Sequence, residues 1–543
     1  MTAEPRNDSI ALINGEIYPM AAPGRADALF ARGGIIKAMG TDRDILSLCD
    51  SKTIVLDMKG KALLPGFTDT HNHLLATGRS IETLNLRDSV SVEDIILKGR
   101  KYLNENSIGK DEWFFARGWD QDYLAEKRFP NKNDLDAISK DLPLFFERSC
   151  GHIAVLNSRA LEILGVKSGF KISGGVVQSD EKGEPTGVIS EAAVSWARLN
   201  IPECSEDTLA RWYKRAADEM ARLGITSVQT DDIELAGSIE RVFGLYEQME
   251  LMDNMPLRIS EQWHLRDEDT LRSFIEAGSH KRHGETFFKS GALKIHVDGT
   301  LGARTAALRE EYSDDPGNRG IYAHSQGALN KLVSIAQEAG MQVAFYAIGD
   351  GAIERCLNAV EEAQNTVPSS SIRHRIVHCQ VGASDIYKRM ASLGVMADIQ
   401  PAFVTSDWPI VMSRLGAERS RWSYAWKSLI MHGITIGAGS DSPTEKLNPF
   451  IGIRAAILRQ DVNNEPEYGW MPSQRLDRIE AFSMYTLGGA AVCGEGEKRG
   501  TLEVGKAADI VAFMENPFIV SENELLKMTV GLTVVDGKIK YIR

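Results

Sequence analysis

The sequence predicts an α/β fold, a (β/α)8 TIM-like barrel with a large insert after its first strand, joined to a small β-sandwich built from both termini. Three observations lead there. Strand-like runs alternate with amphipathic helical segments through the middle of the chain, as in parallel βαβ units. Both ends are β-rich and punctuated by NG, GG, KG and DG turns. One connection, after the first strand run, spans about 150 residues, far beyond an ordinary βα loop.

The N-terminal stretch, residues 1–65, contains SIALINGEIYPM, ADALFARGGIIKAMG and TIVLDMKGKALLPG. The C-terminal stretch, 496–543, contains GTLEVGKAADIVAFM and LTVVDGKIKYIR. Termini of a domain commonly lie close in space, so the two stretches are expected to form one composite sandwich. Residues 66–495 make the barrel. Its strand runs are GFTDTHNH (66–73), ITSVQTDD (225–232), LRISEQWH (257–264), ALKIHVDG (292–299), QVAFYAIGD (342–350), RHRIVHCQ (373–380), VMADIQP (395–401) and TIGAGSDSP (435–443). The segments TLARWYKRAADEMARLG (208–224) and ALNKLVSIAQEAG (328–340) are amphipathic and end on glycine, where a helix stops. Residues 80–210 carry their own strand-like runs, WFFARGWD and LPLFFERS, and are expected to form an inserted lid or subdomain.

Composition excludes several classes. The 543 residues are 43% hydrophobic and 25% charged, as in globular proteins, and carry a net charge of −13. That charge argues against a nucleic-acid footprint or an anionic membrane partner. No apolar run approaches the length of a membrane span, and the N-terminus lacks the basic start and apolar stretch of a secretory signal. Six cysteines (Cys49, Cys150, Cys204, Cys356, Cys379, Cys493) are scattered without CxxC spacing, which fits reduced thiols in a cytoplasmic protein. The expected partner is a small molecule, and a homodimer is compatible with this reading.

His71-Asn72-His73 ends the first strand run, and residues two apart in a strand point to the same side. Two neutral imidazoles so placed make a chelating pair for a zinc-like ion, although an HxH tripeptide alone is often incidental. Other strand ends supply Lys294, His378 and Asp441. Each has a structural alternative: a salt bridge for Lys294, a core hydrogen bond for His378, a turn or helix cap for Asp441. Near a dication Lys294 must lose its charge, and reaction with CO₂ would convert it to a bridging carbamate. Joint placement at one end of separate strands favours metal. From the insert, His152 and Glu191 either reach substrate or make a structural hydrogen bond. Trp119, Trp408 and Trp422 either line a pocket or pack in the core. Gly349 and Gly351 are turn residues, with no phosphate loop around them.

LPGFTDTHNHL, LKIHVDGTLGARTAAL, AIGDGAIE, RHRIVHCQ and GAGSDSP resemble, in order, the barrel motifs of the amidohydrolase superfamily. CGHIAVLNSRAL and GVISEAA resemble the branch that contains N-substituted formamide deformylase, and the similarity covers almost the whole chain. The resemblance implies a metal centre of one or two divalent ions, zinc expected, on His71, His73, Lys294 as carbamate, His378 and Asp441. It also implies that Asp441 moves the proton from water to the leaving group. The activity implied is hydrolysis of a carbon–nitrogen bond, amide or formamide, by metal-activated water.

Two positions depart from the family. Tyr346 stands where a metal-ligating histidine is normal, and a neutral phenol is a poor ligand. His296 stands two residues from Lys294, sharing its inward face, so it either restores the lost imidazole or packs. Tyr346 either takes the place of that ligand or acts in catalysis, in hydrolysis or in a lyase, isomerase or decarboxylase reaction on the same scaffold. The remaining alternative is a non-catalytic barrel that binds a small molecule.

Overall fold

In the computed structural model, which describes residues 8–21, 26–106, 108–109, 112–265, 267–284, 287–368 and 371–543, eight short segments form one parallel sheet. They are β1 (Phe67–Asn72), β2 (Ile225–Thr230), β3 (Arg258–His264), β4 (Phe288–His296), β5 (Val343–Ala347), β6 (Arg375–His378), β7 (Met396–Ile399) and β8 (Ile436–Ala438). Each pairs in parallel with the next in chain order. β1, β2 and β7 are buried along their whole length, as expected of barrel strands covered by helices outside and side chains within. Helices Glu206–Arg222 and Gln326–Glu338 stop before Gly224 and Gly340, whose φ values of 80° and 78° are the left-handed geometry that ends a helix.

The barrel closes where β8 meets β1. Asp441 N donates to His71 O at 2.8 Å, and His73 N donates to Ser442 O at 3.0 Å. Gly439 is required at this seam: a Cβ there would lie 2.4 Å from His71 N and 2.9 Å from His71 Cβ. Below it the interior is polar as well as apolar. Arg375 Nε lies 3.3 Å from Asp398 Oδ2, both side chains fully buried, and Thr70 Oγ1 donates to Asp398 Oδ1 at 2.5 Å.

Both termini build a second core. Strands Glu16–Ile17 and Ala62–Pro65 join Ile510–Phe513, Val530–Val535 and Lys538–Ile542 in a five-stranded sheet. Ser9–Ile13, Ala28–Arg32, Ile35–Gly40 and Ile54–Asp57 form a four-stranded one. Leu12, Leu29 and Ile36 from one sheet pack with Leu63, Ile510 and Leu532 from the other, giving a small sandwich.

Contacts divide the chain into two compact units, Met1–Ala76 with Ala216–Arg543, and Thr77–Arg215. The second holds a six-stranded sheet that includes Phe114–Trp119, Leu144–Arg148, Ile153–Leu156 and Pro185–Glu191. Apolar clusters form around Phe146 and around Phe145. Trp119 belongs to the first of these, fully buried, with Nε1 donating to Phe146 O at 3.0 Å. Among the described residues no helix is long and apolar enough to cross a membrane.

The seam yields a stability prediction. Gly439→Ala pushes a methyl into the His71 backbone, which cannot rotate away, and should cost roughly 1–3 kcal/mol, as overpacking does. Chemical denaturation of the purified variant checks this; wild-type stability would mean that the seam has slack.

Candidate metal centre

At the C-terminal end of the barrel lies a cavity of about 410 Å³, lined by residues from β1, β4, β5 and β6 and by the loops after β6, β7 and β8. This is the end at which barrel enzymes carry their chemistry. His71 and His73 come from β1 and the residue after it. Lys294 and His296 lie two apart on β4, Tyr346 is on β5, and His378 ends β6. Asp441 follows β8.

The seam brings the donors together. With Asp441 N bonded to His71 O, the Asp441 carboxylate falls between both imidazoles of β1: Oδ1 is 3.4 Å from His71 Nε2 and 3.3 Å from His73 Nε2. The His71 ring centre is 5.5 Å from those of His73 and His378, edge to face in both cases. One donor atom each from His71, His378 and Asp441 lies within 4.8 Å of the others, a spacing that one ion can span. His378 and Asp441 both hold left-handed backbones, with φ of 67° and 56°. Such conformations cost on the order of 1–3 kcal/mol each outside glycine and collect at working sites.

Electrostatics sort the groups into neutral donors and an anion. Burial, reinforced by the Lys294 charge, holds His71 well below the usual histidine range, and burial takes His378 down to about 4. Burial opposes the charge on Asp441, yet the rings of His71, His73 and His378 keep its carboxyl well below the ordinary value. For His73 burial also opposes charge, but the hydrogen bond and charge of Asp441 prevail and raise its proton affinity. His71 Nδ1 and His378 Nε2 are buried without hydrogen-bond partners. Unpaired buried ring nitrogens are costly, and a bound cation satisfies such atoms. The donors therefore fit a divalent ion on the evidence of their own geometry.

A carboxyl of β1 itself holds this arrangement. Asp69, fully buried, accepts from Ser440 N at 2.9 Å, Ser440 Oγ at 2.6 Å and Asn72 Nδ2 at 3.1 Å. It thus ties the HxH strand to the loop that carries Asp441.

The two departures from the family stand side by side. His296 and Tyr346 are register partners on β4 and β5, and their rings stack at 4.7 Å. Tyr346 also meets the His378 ring edge to face at 4.5 Å. Burial raises the Tyr346 phenol above its ordinary value, so it stays protonated and can donate. Burial, with the Lys294 charge, pushes His296 down to about 3. Lys294 is buried, its Nζ 3.4 Å from Asp231 Oδ2. His152 and Glu191 lie in the Thr77–Arg215 unit, both exposed, with His152 Nδ1 3.2 Å from Glu191 Oε2.

Several residues around the cavity carry no sequence motif. Asp231 follows β2 and His264 ends β3, and neither belongs to a spaced tripeptide. Phe403, Asp407 and Tyr424 line the wall, and Tyr424 Oη donates to Asp407 Oδ2 at 2.6 Å. Trp408 and Trp422, the aromatics singled out nearby, are not among the lining residues.

Comparison with known proteins supports a metal-dependent hydrolase. YtcJ of Bacillus subtilis, provisionally named an amidohydrolase, is 32% identical over 531 residues, 97% of this chain and 98% of its own. N-substituted formamide deformylase of Arthrobacter pascens is 24% identical over 557 residues, 98% of both chains. The crystal structure of an uncharacterized metal-dependent hydrolase from Pyrococcus furiosus superimposes with a TM-score of 0.78 at 29% identity, covering 94% of this chain and 100% of that one. The protein is thus an enzyme, a hydrolase whose family implies a divalent metal and a small-molecule substrate. The model of the amidohydrolase family matches residues 55–541, and the chain belongs to that family.

Proposed function

We propose that the enzyme hydrolyses a carbon–nitrogen bond, amide or formamide, of a small molecule, with zinc held by His71, His73, His378, Asp441 and a carboxylated Lys294. The observation that carries this reading is the ionised Asp441 carboxylate set within 3.4 Å of two imidazoles at the wall of the cavity. The formamide deformylase relative supports the bond type. The neutral imidazoles of His71 and His378 with the Asp441 carboxylate are a donor set that suits zinc, in one or two ions. Carboxylation joins Lys294 Nζ to the carbon of CO₂ with release of two protons from the ammonium, replacing a cation by an anion.

A bound divalent ion supplies a Lewis acid and lowers the pKa of its water from 15.7 towards about 7. Asp441 accepts the proton of the attacking water and delivers it to the departing nitrogen, so that the amine leaves neutral as the carbon–nitrogen bond breaks. The Tyr346 hydroxyl, kept protonated by burial, donates to the carbonyl oxygen as negative charge develops there. Leu301, Ile348 and Phe403 give the cavity an apolar wall that keeps bulk water from these groups.

Three variants test the assignment. Asp441→Asn keeps the shape but loses the proton acceptor, and should lower turnover of an N-acyl substrate at least about 100-fold; a near-normal rate removes Asp441 from proton transfer. Tyr346→Phe should leave metal content unchanged while lowering kcat roughly 100-fold, the scale of one lost oxyanion donor. Wild-type kcat there refutes the donor role, and loss of metal would make the phenol a ligand. Asp69→Ala should reduce metal affinity by about 10–100-fold without altering the circular dichroism spectrum, as removal of a group supporting a ligand does; unchanged affinity would show that the seam positions the donors unaided.

A further inference from the structure

Beside the centre described above, a second group of donors gathers at the ends of β2, β3 and β4. Asp231 follows β2, His264 ends β3 and His296 ends β4. One donor atom from each lies within 4.8 Å of the other two. The two imidazoles stack with ring centres 4.5 Å apart and planes 14° from parallel. His296 Nε2 is buried with no hydrogen-bond partner, and His296 lines the cavity. None of these residues belongs to the donor set proposed for catalysis.

We infer that Asp231, His264 and His296 form a second cation site, for a zinc-class divalent ion, at the edge of the substrate cavity. Two nitrogens and one carboxylate oxygen match the donors such ions prefer, and three protein ligands leave a position open for water or a substrate heteroatom. Charge points the same way. Asp231 Oδ2 is 3.4 Å from Lys294 Nζ, while the adjacent Asp232 N donates to the buried carboxyl of Glu261 at 2.8 Å. Once Lys294 becomes a carbamate, Asp231 faces an anion instead of a cation, and a second dication restores the balance. This charge argument rests on the carbamate proposed above; the donor geometry does not. The two centres adjoin, since His73 Nδ1 lies 3.4 Å from Asp231 O.

The test is an ion count. Full-length protein is stripped with chelator, reloaded with Zn²⁺ alone in bicarbonate buffer, and its zinc per chain measured by mass spectrometry. His264→Ala and His296→Phe should each hold one ion fewer than the wild type, and His71→Ala should lower the count independently. If His264→Ala does not fold, His264→Gln takes its place. An unchanged count in folded His264 and His296 variants overturns the site. Complete loss of zinc in either also overturns it, because the donors would then serve a single shared centre. A full count in His71→Ala would instead sink the catalytic centre and leave the second site standing.

Discussion

The whole arrangement depends on the closure of one seam. Two backbone hydrogen bonds join the HxH segment at the end of β1 to the loop after β8 and set it against Asp441. They work only because Gly439 lets the two backbones approach. Asp69 reinforces the same contact from behind, accepting from Ser440 and Asn72 on either side of it. Barrel closure and assembly of the donor set are therefore one event. Strain is stored there too, in the left-handed backbones of His378 and Asp441, and the surrounding barrel maintains it.

Burial then does the chemical tuning. Imidazoles in bulk water are partly protonated near neutral pH and give up a proton when they bind metal. Here burial keeps His71 and His378 neutral, while the carboxylate beside them stays charged. Burial on Tyr346 has the complementary result: the phenol keeps its proton and becomes a donor. A single physical effect, withdrawal from water, thus assigns opposite tasks to neighbouring groups according to their charge type.

Much of this was legible in the sequence, for identifiable reasons. Strand runs of buried residues and glycine-terminated helices mark βαβ repeats whatever the tertiary detail, so all eight barrel strands were found. β4 begins earlier than its motif suggests, at Phe288, because the residues before Ala292 continue the ladder against β3. The donors of β1 were visible because a period of two sets both rings on one side. Asp231 and His264 were not, because each is a single residue at a strand end and gains meaning only when β2, β3 and β4 lie side by side. Phe403, Asp407 and Tyr424 escaped for another reason. They belong to a long excursion after β7, where helix Phe403–Ser420 contains Pro409 and is broken at Gly416, so no regular apolar stripe announces which face it presents.

The seam also sets a timetable for synthesis. His71 leaves the ribosome some 370 residues before Asp441. Strand Ala62–Pro65, just ahead of β1, finds its antiparallel neighbour only in Ile510–Phe513. The first imidazoles gain a sheet partner once β2 is made, but they wait for their carboxylate until β8 and the loop after it have followed. The donor set is complete only after the last barrel strand, β8, has followed the other seven. The order of the chain thus puts the first and last members of one donor set at opposite ends of the barrel sequence, joined only when the sheet has come round.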